Sequence, residues 1–262
     1  MGPIHQDADA DKNTYKDMEH INGQNNELTL IFPHRKVDCL SSPDEKFSRI
    51  ISQSNIAITG NNNRIAMRFD SEDSAEEMLL GGGFLLIVKG DNNVVNMGTI
   101  ILRCSAILGM TGLKLIIGQL PGLGAGVSRV ANNCRVDIGD RVVINGVTLY
   151  LQEDDSHVSI GDDSQLSWGI DIWCTDAHTI TNLKGEPINY AKSIEIGRHV
   201  WVGKDVKIGK DVKIADNSIV GWGSIVTKEF DEPNVIIAGV PAKIVKRGIN
   251  WDRRCINKYI NE

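Results

Sequence analysis

The sequence predicts an all-β protein built as a parallel β-solenoid, and a strict six-residue repeat carries that prediction. An aliphatic residue returns at every sixth position, at Ile196, Val202, Ile208, Ile214, Val220 and Val226. Neither a helix, with its period of about 3.6 residues, nor a strand, with its period of two, produces this spacing. Each hexad therefore predicts one short strand and a corner, with the aliphatic side chain in the interior of the solenoid.

A small residue follows most of these aliphatic positions, as at Gly197, Gly203 and Gly221. We expect this residue to let the backbone turn at each corner. A second aliphatic row, two positions earlier on the same strand face, consists of Val200, Val206 and Val212. A less regular form of the pattern starts at Val136, so the hexapeptide solenoid is predicted over residues 136–248.

Three Gly-x-Asn-Asn segments lie further upstream, at residues 23–26, 60–63 and 90–93. Glycine and asparagine tolerate positive φ, and stacked asparagines can hydrogen-bond along a solenoid. These segments therefore predict the corners of an irregular β-solenoid region over residues 21–135. Ordinary hairpin turns are the alternative on turn chemistry alone.

Composition narrows the possible functions. The formal net charge of −6 and the lack of a basic, aromatic-interleaved stretch argue against general nucleic-acid binding. The five cysteines are scattered, odd in number and without metal-ligand spacing, which favours a reducing cytoplasm. No apolar run is long enough for a membrane span. The polar residues 1–20 predict a disordered N-terminus and not a secretory signal.

One interruption of the hexads predicts a functional loop. The pattern stops after Ile172 and resumes at Ile194, which makes residues 173–193 an extruded loop on a rigid scaffold. Asp176 and His178 lie in this loop. An imidazole close to a carboxylate is typical of a general base, although a plain surface histidine is the alternative.

Two other chemistries use residues of the same region. Cys174 lies four residues before His178 and is a nucleophile candidate if its thiol is activated. His157, His178 and His199 follow one another at intervals of 21 residues, which is a weak indication of a zinc site. These imidazoles are dispersed in the sequence, so no metal is expected.

Several motifs together carry a family resemblance. They are the hexads and the segments 175–180 (Thr-Asp-Ala-His-Thr-Ile), 185–188 (Gly-Glu-Pro-Ile), 196–203, 221–228 and 238–243 (Ala-Gly-Val-Pro-Ala-Lys). In this order they resemble the hexapeptide-repeat acyltransferases, and within them the bacterial sugar and polysaccharide O-acetyltransferases, over residues 136–251. The resemblance implies a left-handed parallel β-helix, usually a homotrimer, with acetyl-CoA as co-substrate in a groove between subunits.

Residue by residue, the resemblance implies three catalytic positions. His178 matches the general base that removes the proton from the acceptor hydroxyl. Asp176 is the candidate for holding the tautomer of His178. Trp201 matches an aromatic position beside the active site, and because it precedes the inward Val202 we expect its side chain to point outward.

The resemblance also implies a channel for the coenzyme. Its candidate contacts are Trp201, Gly203, Gly221, Trp222, Ser224, Thr227, Lys228, Lys243 and Lys246. The lysines suit phosphate groups, and Ser224 and Thr227 offer hydroxyls. Trp222 departs from the small residue that is usual at this position, so its indole either stacks on the adenine or narrows the channel. The oxyanion donor is expected to be a backbone N–H of the solenoid.

The acceptor implied by this resemblance is a hydroxyl of a bacterial surface polysaccharide or oligosaccharide, because the N-terminal solenoid region extends the surface available to a long glycan. A small acceptor, such as an amino sugar or an antibiotic, is the alternative. A metal-dependent β-helix enzyme and a non-catalytic binding module are weaker alternatives. A serine acceptor is disfavoured, because the N-terminal half reads as β-rich and the serine acetyltransferases carry a helical N-terminal domain.

The C-terminal segment, residues 249–262, is predicted to be a short amphipathic helix. Trp251, Cys255 and Tyr259 are spaced by four and would share one face of that helix. We expect it to cap the open end of the solenoid, where strand edges would otherwise be exposed.

Overall fold

The computed structural model describes residues 21–41, 44–102, 112–118, 130–190 and 193–260, so the N-terminal segment 1–20 lies outside the described residues. In the described chain the strands form three sheets, and the backbone visits the first, second and third sheet in turn. Neighbouring strands run parallel, apart from one pair at an end of the second sheet and one at an end of the third. The all-β, parallel solenoid predicted from the repeats is therefore confirmed.

The strands of each sheet stack in the following spatial order. The first sheet contains β1 (Ile21–Asn22), β4 (Ile56–Thr59), β6 (Phe84–Lys89), β9 (Gly112–Ile117), β12 (Gly146–Leu151), β15 (Ile170–Cys174), β18 (Lys207–Ile208) and β21 (Ile225–Val226). The second contains β3 (Lys36–Asp38), β2 (Glu27–Ile31), β5 (Arg64–Arg68), β7 (Val94–Met97), β10 (Arg135–Ile138), β13 (His157–Ile160), β16 (Ser193–Ile196) and β19 (Val212–Ile214). The third contains β8 (Ile100–Leu102), β11 (Val142–Ile144), β14 (Gln165–Leu166), β17 (Trp201–Val202), β20 (Ile219–Val220), β22 (Val235–Gly239) and β23 (Ala242–Arg247).

The aliphatic rows of the hexads fill the interior, as predicted. The six residues of the first row are at most 2% exposed: Ile196, Val202, Ile208, Ile214, Val220 and Val226. The second row, Val200, Val206 and Val212, is equally buried. One continuous apolar cluster extends from Leu28 to Ala242, so the N-terminal and C-terminal coils share a single core.

The small residue of each hexad does not turn the backbone, and that expectation is wrong. The left-handed conformation lies two positions later, with φ of 53° at His199 and 57° at Asp205. At Gly197 and Gly203 the small residue is required because successive coils approach closely. A Cβ on Gly197 would lie 2.4 Å from Oδ1 of Asp216, in the next coil.

The Gly-x-Asn-Asn segments form corners between the first and second sheets. Their exposed asparagines adopt positive φ, and each donates from Nδ2 to the equivalent residue of the next coil at 3.1 to 3.3 Å, in the order Asn25, Asn62, Asn92, Asn133 and Asp155. A second ladder, through Asn26, Asn63 and Asn93, runs deeper in the corner. The predicted stacking is confirmed. The hairpin alternative is wrong. The two strands that flank each corner lie in different sheets, and each pairs in parallel with the equivalent strand of the neighbouring coil.

Two helices that the sequence analysis missed occupy the third side of the first two coils, where later coils have strands. The helix α1 (Glu45–Gln53) begins at Asp44, which accepts from backbone N–H groups of its first turn. The helix α2 (Glu72–Leu80) begins with a capping box of Ser71 and Ser74. Both bury one apolar face. Their nine residues are too few for a clear helical period beside the neighbouring strands.

The short C-terminal helix predicted over residues 249–262 is present, but in the described part of this segment it covers only four residues. The helix α3 (Ile256–Tyr259) has four residues and none of them is buried. Upstream, Asp252 accepts from the backbone N–H of Arg254 and favours a turn. Nε1 of Trp251 donates to the carbonyl oxygen of His199 at 2.7 Å, so the indole lies along the side of the solenoid. The described part of the chain contains no helix long and apolar enough to cross a membrane.

Candidate active site

The chain leaves the regular coils between β15 and β16, at the edge where the first sheet meets the second. The strand β15 extends through Cys174, so Trp173 and Cys174 belong to the scaffold and not to the loop as predicted. Within residues 175–190, Thr181 and Pro187 form an isolated antiparallel bridge, and the backbone N–H of Ile188 donates to the carbonyl oxygen of Ile180 at 2.9 Å. The loop therefore has internal structure.

The loop is attached to the scaffold by a charged network around Asp176. Nζ of Lys210, from the next coil, lies 2.6 Å from Oδ2 of Asp176. Nδ2 of Asn189 donates to the same oxygen at 2.8 Å, and Nζ of Lys210 also donates to the carbonyl oxygen of Asn189. The Lys210 ammonium, followed by Asn189, holds the pKa of Asp176 below its usual range. Asp176 is therefore ionised at neutral pH and joins both ends of the loop.

The main chain of His178 is fixed, while its imidazole is exposed. The backbone N–H of His178 donates to the carbonyl oxygen of Asp176 at 2.7 Å, and its own carbonyl oxygen accepts from Nδ2 of Asn189 at 2.9 Å. Between them Ala177 takes φ of 60°. Within the described residues, no hydrogen bond joins the ring of His178 to the carboxylate of Asp176, which is bound to Lys210 and Asn189. This arrangement leaves both ring nitrogens open to a ligand.

Glu153, Asn189 and Lys210 support the loop and were missed by sequence reasoning. Oε1 of Glu153, one coil earlier, accepts from Oγ1 of Thr175 at 2.8 Å. The acidic run 153–155 at a corner was a visible signal for Glu153. Lys210 occupies an ordinary corner position, and only the stacking of coils brings it below the loop.

The thiol alternative is wrong. Cys174 is fully buried, and its Sγ faces the carbonyl oxygen of His157 at 3.9 Å. Burial raises the pKa of this thiol to about 12, so almost none of it is thiolate at neutral pH. Cys174 therefore has a structural role.

The three dispersed histidines do not converge. His157 lies 3.1 Å from Oδ2 of Asp137 on the outer face of the second sheet. His199 stacks on Trp251, with ring centroids 4.4 Å apart. Among the described residues, no group of three His, Cys, Asp or Glu side chains is arranged to hold a metal ion.

Trp201 points outward from β17, as expected, and is 39% exposed. Its ring lies 5.9 Å from that of Trp251. The third sheet, which carries Trp201, is the side of the solenoid opposite the edge from which the His178 loop leaves. The structure of one chain therefore does not bring Trp201 and His178 together.

The predicted coenzyme contacts fall into different environments. Gly203 and Gly221 lie at the corner between the third and first sheets. A Cβ on Gly203 would come within 2.8 Å of the carbonyl oxygen of Val220, so its role includes packing. Trp222 is 72% exposed, and its Nε1 donates to Oδ2 of Asp205 at 3.3 Å. Lys243 and Lys246 are exposed on β23 of the third sheet, whereas Thr227 and Lys228 are exposed after β21, at the corner between the first and second sheets.

Ser224 does not fit the predicted contact. Its side chain is fully buried. The hydroxyl donates to the carbonyl oxygen of Gly221 at 2.7 Å and accepts from the N–H of Gly239 at 3.1 Å. The hydroxyl therefore fixes a corner, and the expectation of a coenzyme contact is wrong at this residue.

A three-sided parallel β-solenoid that carries an exposed imidazole on a loop is the architecture of hexapeptide-repeat transferases. The family described as bacterial transferase hexapeptide (six repeats) matches residues 193–228. A polysialic acid O-acetyltransferase of Neisseria meningitidis is 36% identical over 173 residues, which cover 64% of this chain and 80% of the relative. The chain belongs to the hexapeptide-repeat transferase family.

Two further comparisons cover different shares of the chain. The galactoside O-acetyltransferase of Escherichia coli (strain K12) is 39% identical over 93 residues, which cover 36% of this chain and 45% of the relative. The chain spans about half the length of the first curated relatives it matches, 56% and 45%. The crystal structure of the polySia specific acetyltransferase NeuO superposes with a TM-score of 0.53 at 23% identity, over 90% of this chain and 88% of that one, and supports the fold.

Proposed function

We propose that the protein is an O-acetyltransferase that moves an acetyl group from acetyl-CoA to a hydroxyl of a surface polysaccharide or oligosaccharide. The observation that carries the proposal is the loop of His178. Its backbone is held on both sides, through Asp176 and Asn189, while its imidazole is free of protein partners in the described chain. Similarity to a polysialic acid O-acetyltransferase over most of that relative's length supports the same reaction class.

In this mechanism His178 is the general base. The acceptor oxygen forms a bond to the thioester carbonyl carbon, and a ring nitrogen of His178 takes the hydroxyl proton. The C–S bond then breaks, and the sulfur of coenzyme A receives the proton. Imidazole suits this role because its usual pKa lies near neutral pH. Asp176 acts here as a positioning residue through the backbone and Asn189, and not through the ring.

The coenzyme site that we propose lies along the corner of Gly203 and Gly221. Lys243 and Lys246 are exposed on the third sheet and can bind its phosphates, while Lys228, at the corner between the first and second sheets, would reach them from a neighbouring subunit. Trp201 and Trp222 offer exposed indoles beside the same surface. Thr227 lies beside Lys228 and would offer its hydroxyl from the neighbouring subunit. Acetyl-CoA is a metabolite of the cytoplasm, so we place the reaction in that compartment.

We further propose that the active protein is a homotrimer of left-handed β-helices, with each site between two subunits. His178 and Trp201 lie on opposite sides of one chain and can meet only across such an interface. The loop of His178 also exposes four large apolar side chains, Ile180, Leu183, Ile188 and Tyr190. Exposed apolar residues on a structured loop favour contact with another protein surface.

A glycan polymer is the acceptor that we favour, because the N-terminal coils extend the surface beside the loop. A galactoside or another small sugar is the second candidate, since the galactoside O-acetyltransferase of Escherichia coli is 39% identical over 93 residues. An amino sugar or an antibiotic acceptor has no specific observation in its favour.

The test is thiol release from acetyl-CoA with polysialic acid, other capsular glycans, galactosides and amino sugars as acceptors. We expect glycan-dependent turnover, and a decrease of at least about 100-fold in kcat for His178→Ala. The matched control is His34→Ala, which removes an exposed histidine far from His178 in the sequence and should leave the rate unchanged. Equal turnover by both variants would show that His178 is not the base. Activity on galactosides alone would mean that the acceptor is a small galactoside and not a polymer.

A further inference from the structure

The outer face of the first sheet carries a register-aligned apolar column beside the loop. Ile87 pairs with Ile116, Ile116 with Tyr150, and Tyr150 with Trp173. The first three side chains are at most 6% exposed, whereas Trp173 is 43% exposed. The column therefore ends in an indole that is partly open to solvent.

The indole of Trp173 has a fixed orientation. Its ring stacks on that of Tyr150, with centroids 5.2 Å apart and planes inclined by 23°. Tyr150 is buried, and its hydroxyl accepts a hydrogen bond from Nε2 of Gln152 at 3.1 Å. A ring that rests on an immobile neighbour loses little entropy when a ligand binds. Trp173 thus resembles a preformed surface more than a mobile side chain.

The next coil leaves the other face of this indole uncovered. Ile172 pairs with Ile208, so the position that continues the column beyond Trp173 is Gly209. A Cβ on Gly209 would find one described atom within 4 Å, the carbonyl oxygen of Val226 at 3.7 Å. Neither the ring of Trp173 nor another described side chain fills this space.

The surroundings of Trp173 on the same face are polar and charged. Nζ of Lys207 lies 2.5 Å from Oδ2 of Asp171, two residues before Trp173 on the same side of the strand. An apolar ring bordered by hydrogen-bonding groups is the composition of a site for a sugar, whose faces are apolar and whose rim carries hydroxyls. An apolar protein partner would leave this ion pair poorly solvated.

We propose that Trp173, supported by Tyr150, binds a sugar ring of the glycan acceptor, outside the position of the reacting hydroxyl. Trp173 is five residues from His178, so the two lie within about 17 Å of each other. Within this limit, Trp173 and His178 can contact two different sugar units of one polymer chain. The proposal rests on the proposed function for the identity of the acceptor, and it adds a determinant of acceptor length.

The test compares Trp173→Ala with Trp173→Phe and with Gly209→Leu. Binding of sialic acid oligomers of graded length and of an array of capsular glycans is measured at equilibrium, without acetyl-CoA. Turnover is measured in parallel on the same glycans. Trp173→Ala should weaken binding of long glycans about tenfold, while Trp173→Phe retains most of the affinity. Gly209→Leu should reproduce the loss, because its side chain fills the space above the ring.

In turnover assays the same loss should appear in KM for the long glycan. The kcat, the KM for acetyl-CoA and the KM for a monosaccharide should change less than twofold. Unchanged affinity in Trp173→Ala, or no glycan bound by the unmodified protein, would overturn the proposal. Loss of the oligomer in Trp173→Ala would also overturn it, in favour of a contact between subunits. Trp173-dependent binding without any turnover would retain this site while rejecting the proposed function.

Discussion

The N-terminal and C-terminal coils build the corners of the solenoid in two different ways. In the N-terminal coils, ladders of asparagines connect equivalent corners that are 37, 30 and 41 residues apart. In the C-terminal coils, equivalent corner residues are 18 residues apart, as for His199 and Asn217 at the corner between the second and third sheets. The strands there shrink to two residues, as in β17 and β18. A side-chain ladder therefore tolerates coils of unequal length, while a coil of three hexads requires strict spacing.

Carboxylates also connect the corners between the second and third sheets. Oδ1 of Asp162 accepts from the backbone N–H of Asp140, one coil earlier, at 2.8 Å. In the same way, Oδ1 of Asp216 accepts from the backbone N–H of Arg198 at 2.7 Å. A carboxylate only accepts hydrogen bonds, so two equivalent carboxylates cannot bond to each other, and these two pair with backbone N–H groups. An amide both donates and accepts, so asparagines bond to one another and form a continuous ladder.

Among the corner residues, we expect the largest loss of stability from a substitution of Asn63, inside the buried ladder. Its Nδ2 donates to Oδ1 of Asn26 and to the carbonyl oxygen of Gly90, and its Oδ1 accepts from both the backbone and the side chain of Asn93. Asn63→Leu keeps the branching at Cγ but leaves these buried partners unpaired. We expect a loss of about 3 kcal/mol in the free energy of unfolding, measured by urea denaturation.

The control for Asn63 is Asn62→Ala, in the exposed ladder of the same corner. Water replaces the lost partners there, and alanine tolerates a φ of 56° less well than asparagine, so we expect a loss of about 1 kcal/mol. Equal losses for Asn62→Ala and Asn63→Leu would mean that burial does not separate the two ladders.

A pair of glycines tests the close packing of the C-terminal coils. Gly197 and Gly209 occupy the same position of the hexad. In Gly197→Ala the new Cβ would lie 2.4 Å from Oδ1 and 2.8 Å from N of Asp216, so a coil must shift. We expect a loss of about 2 kcal/mol for Gly197→Ala. Gly209→Ala has open space and should be neutral or more stable by about 0.5 kcal/mol, again by urea denaturation. The reverse order would contradict this account of the small residue.

The difference between the halves also explains what sequence reasoning found in the fold. The period of six is visible only where a coil has three hexads, and it disappears where insertions lengthen the coils. The upstream coils were found through Gly-x-Asn-Asn because the chemistry of the corner persists when the spacing does not. The helices α1 and α2 were missed because they replace strands of the third sheet without altering either signal. The tail around Trp251 was misread because four-residue spacing alone does not make a helix.

The site was predictable where the chain interrupts its own pattern. His178 and Asp176 were found because the hexads stop there. The contact of Asp176 with Lys210 was not predictable, since it depends on the stacking of a later coil. The role of Ser224 was misassigned for the same reason, because its partner Gly239 lies in the following coil. Contacts along the solenoid axis have no signature in the local sequence.

The loop of His178 is held by a charge, whereas the N-terminal corners are held by neutral amides, and acid should separate the two. Because Lys210 lowers the pKa of Asp176 in the folded protein, the stabilising contact is complete above the unfolded value of 3.8. It is lost as the pH falls through the lower folded pKa. After correction for the intrinsic pH dependence of amide exchange, the exchange rate within residues 175–190 should rise roughly fivefold below that pH. The rate at the asparagine corners should change little. Asp176→Asn should remove this response, and a uniform response of both regions would contradict it.

Thiol labelling gives the mildest comparison of the two halves, since it leaves the fold intact. Cys39 and Cys134 in the N-terminal coils and Cys174 in the C-terminal coils are all buried, and burial raises the pKa of each thiol to about 12. Cys255 is exposed on the tail. Peptide mapping after brief treatment with iodoacetamide at pH 8 should find Cys255 labelled and these three unmodified, because a shared core protects both halves equally. Labelling of Cys39 and Cys134 ahead of Cys174 would show that the ladder coils open separately from the hexad coils.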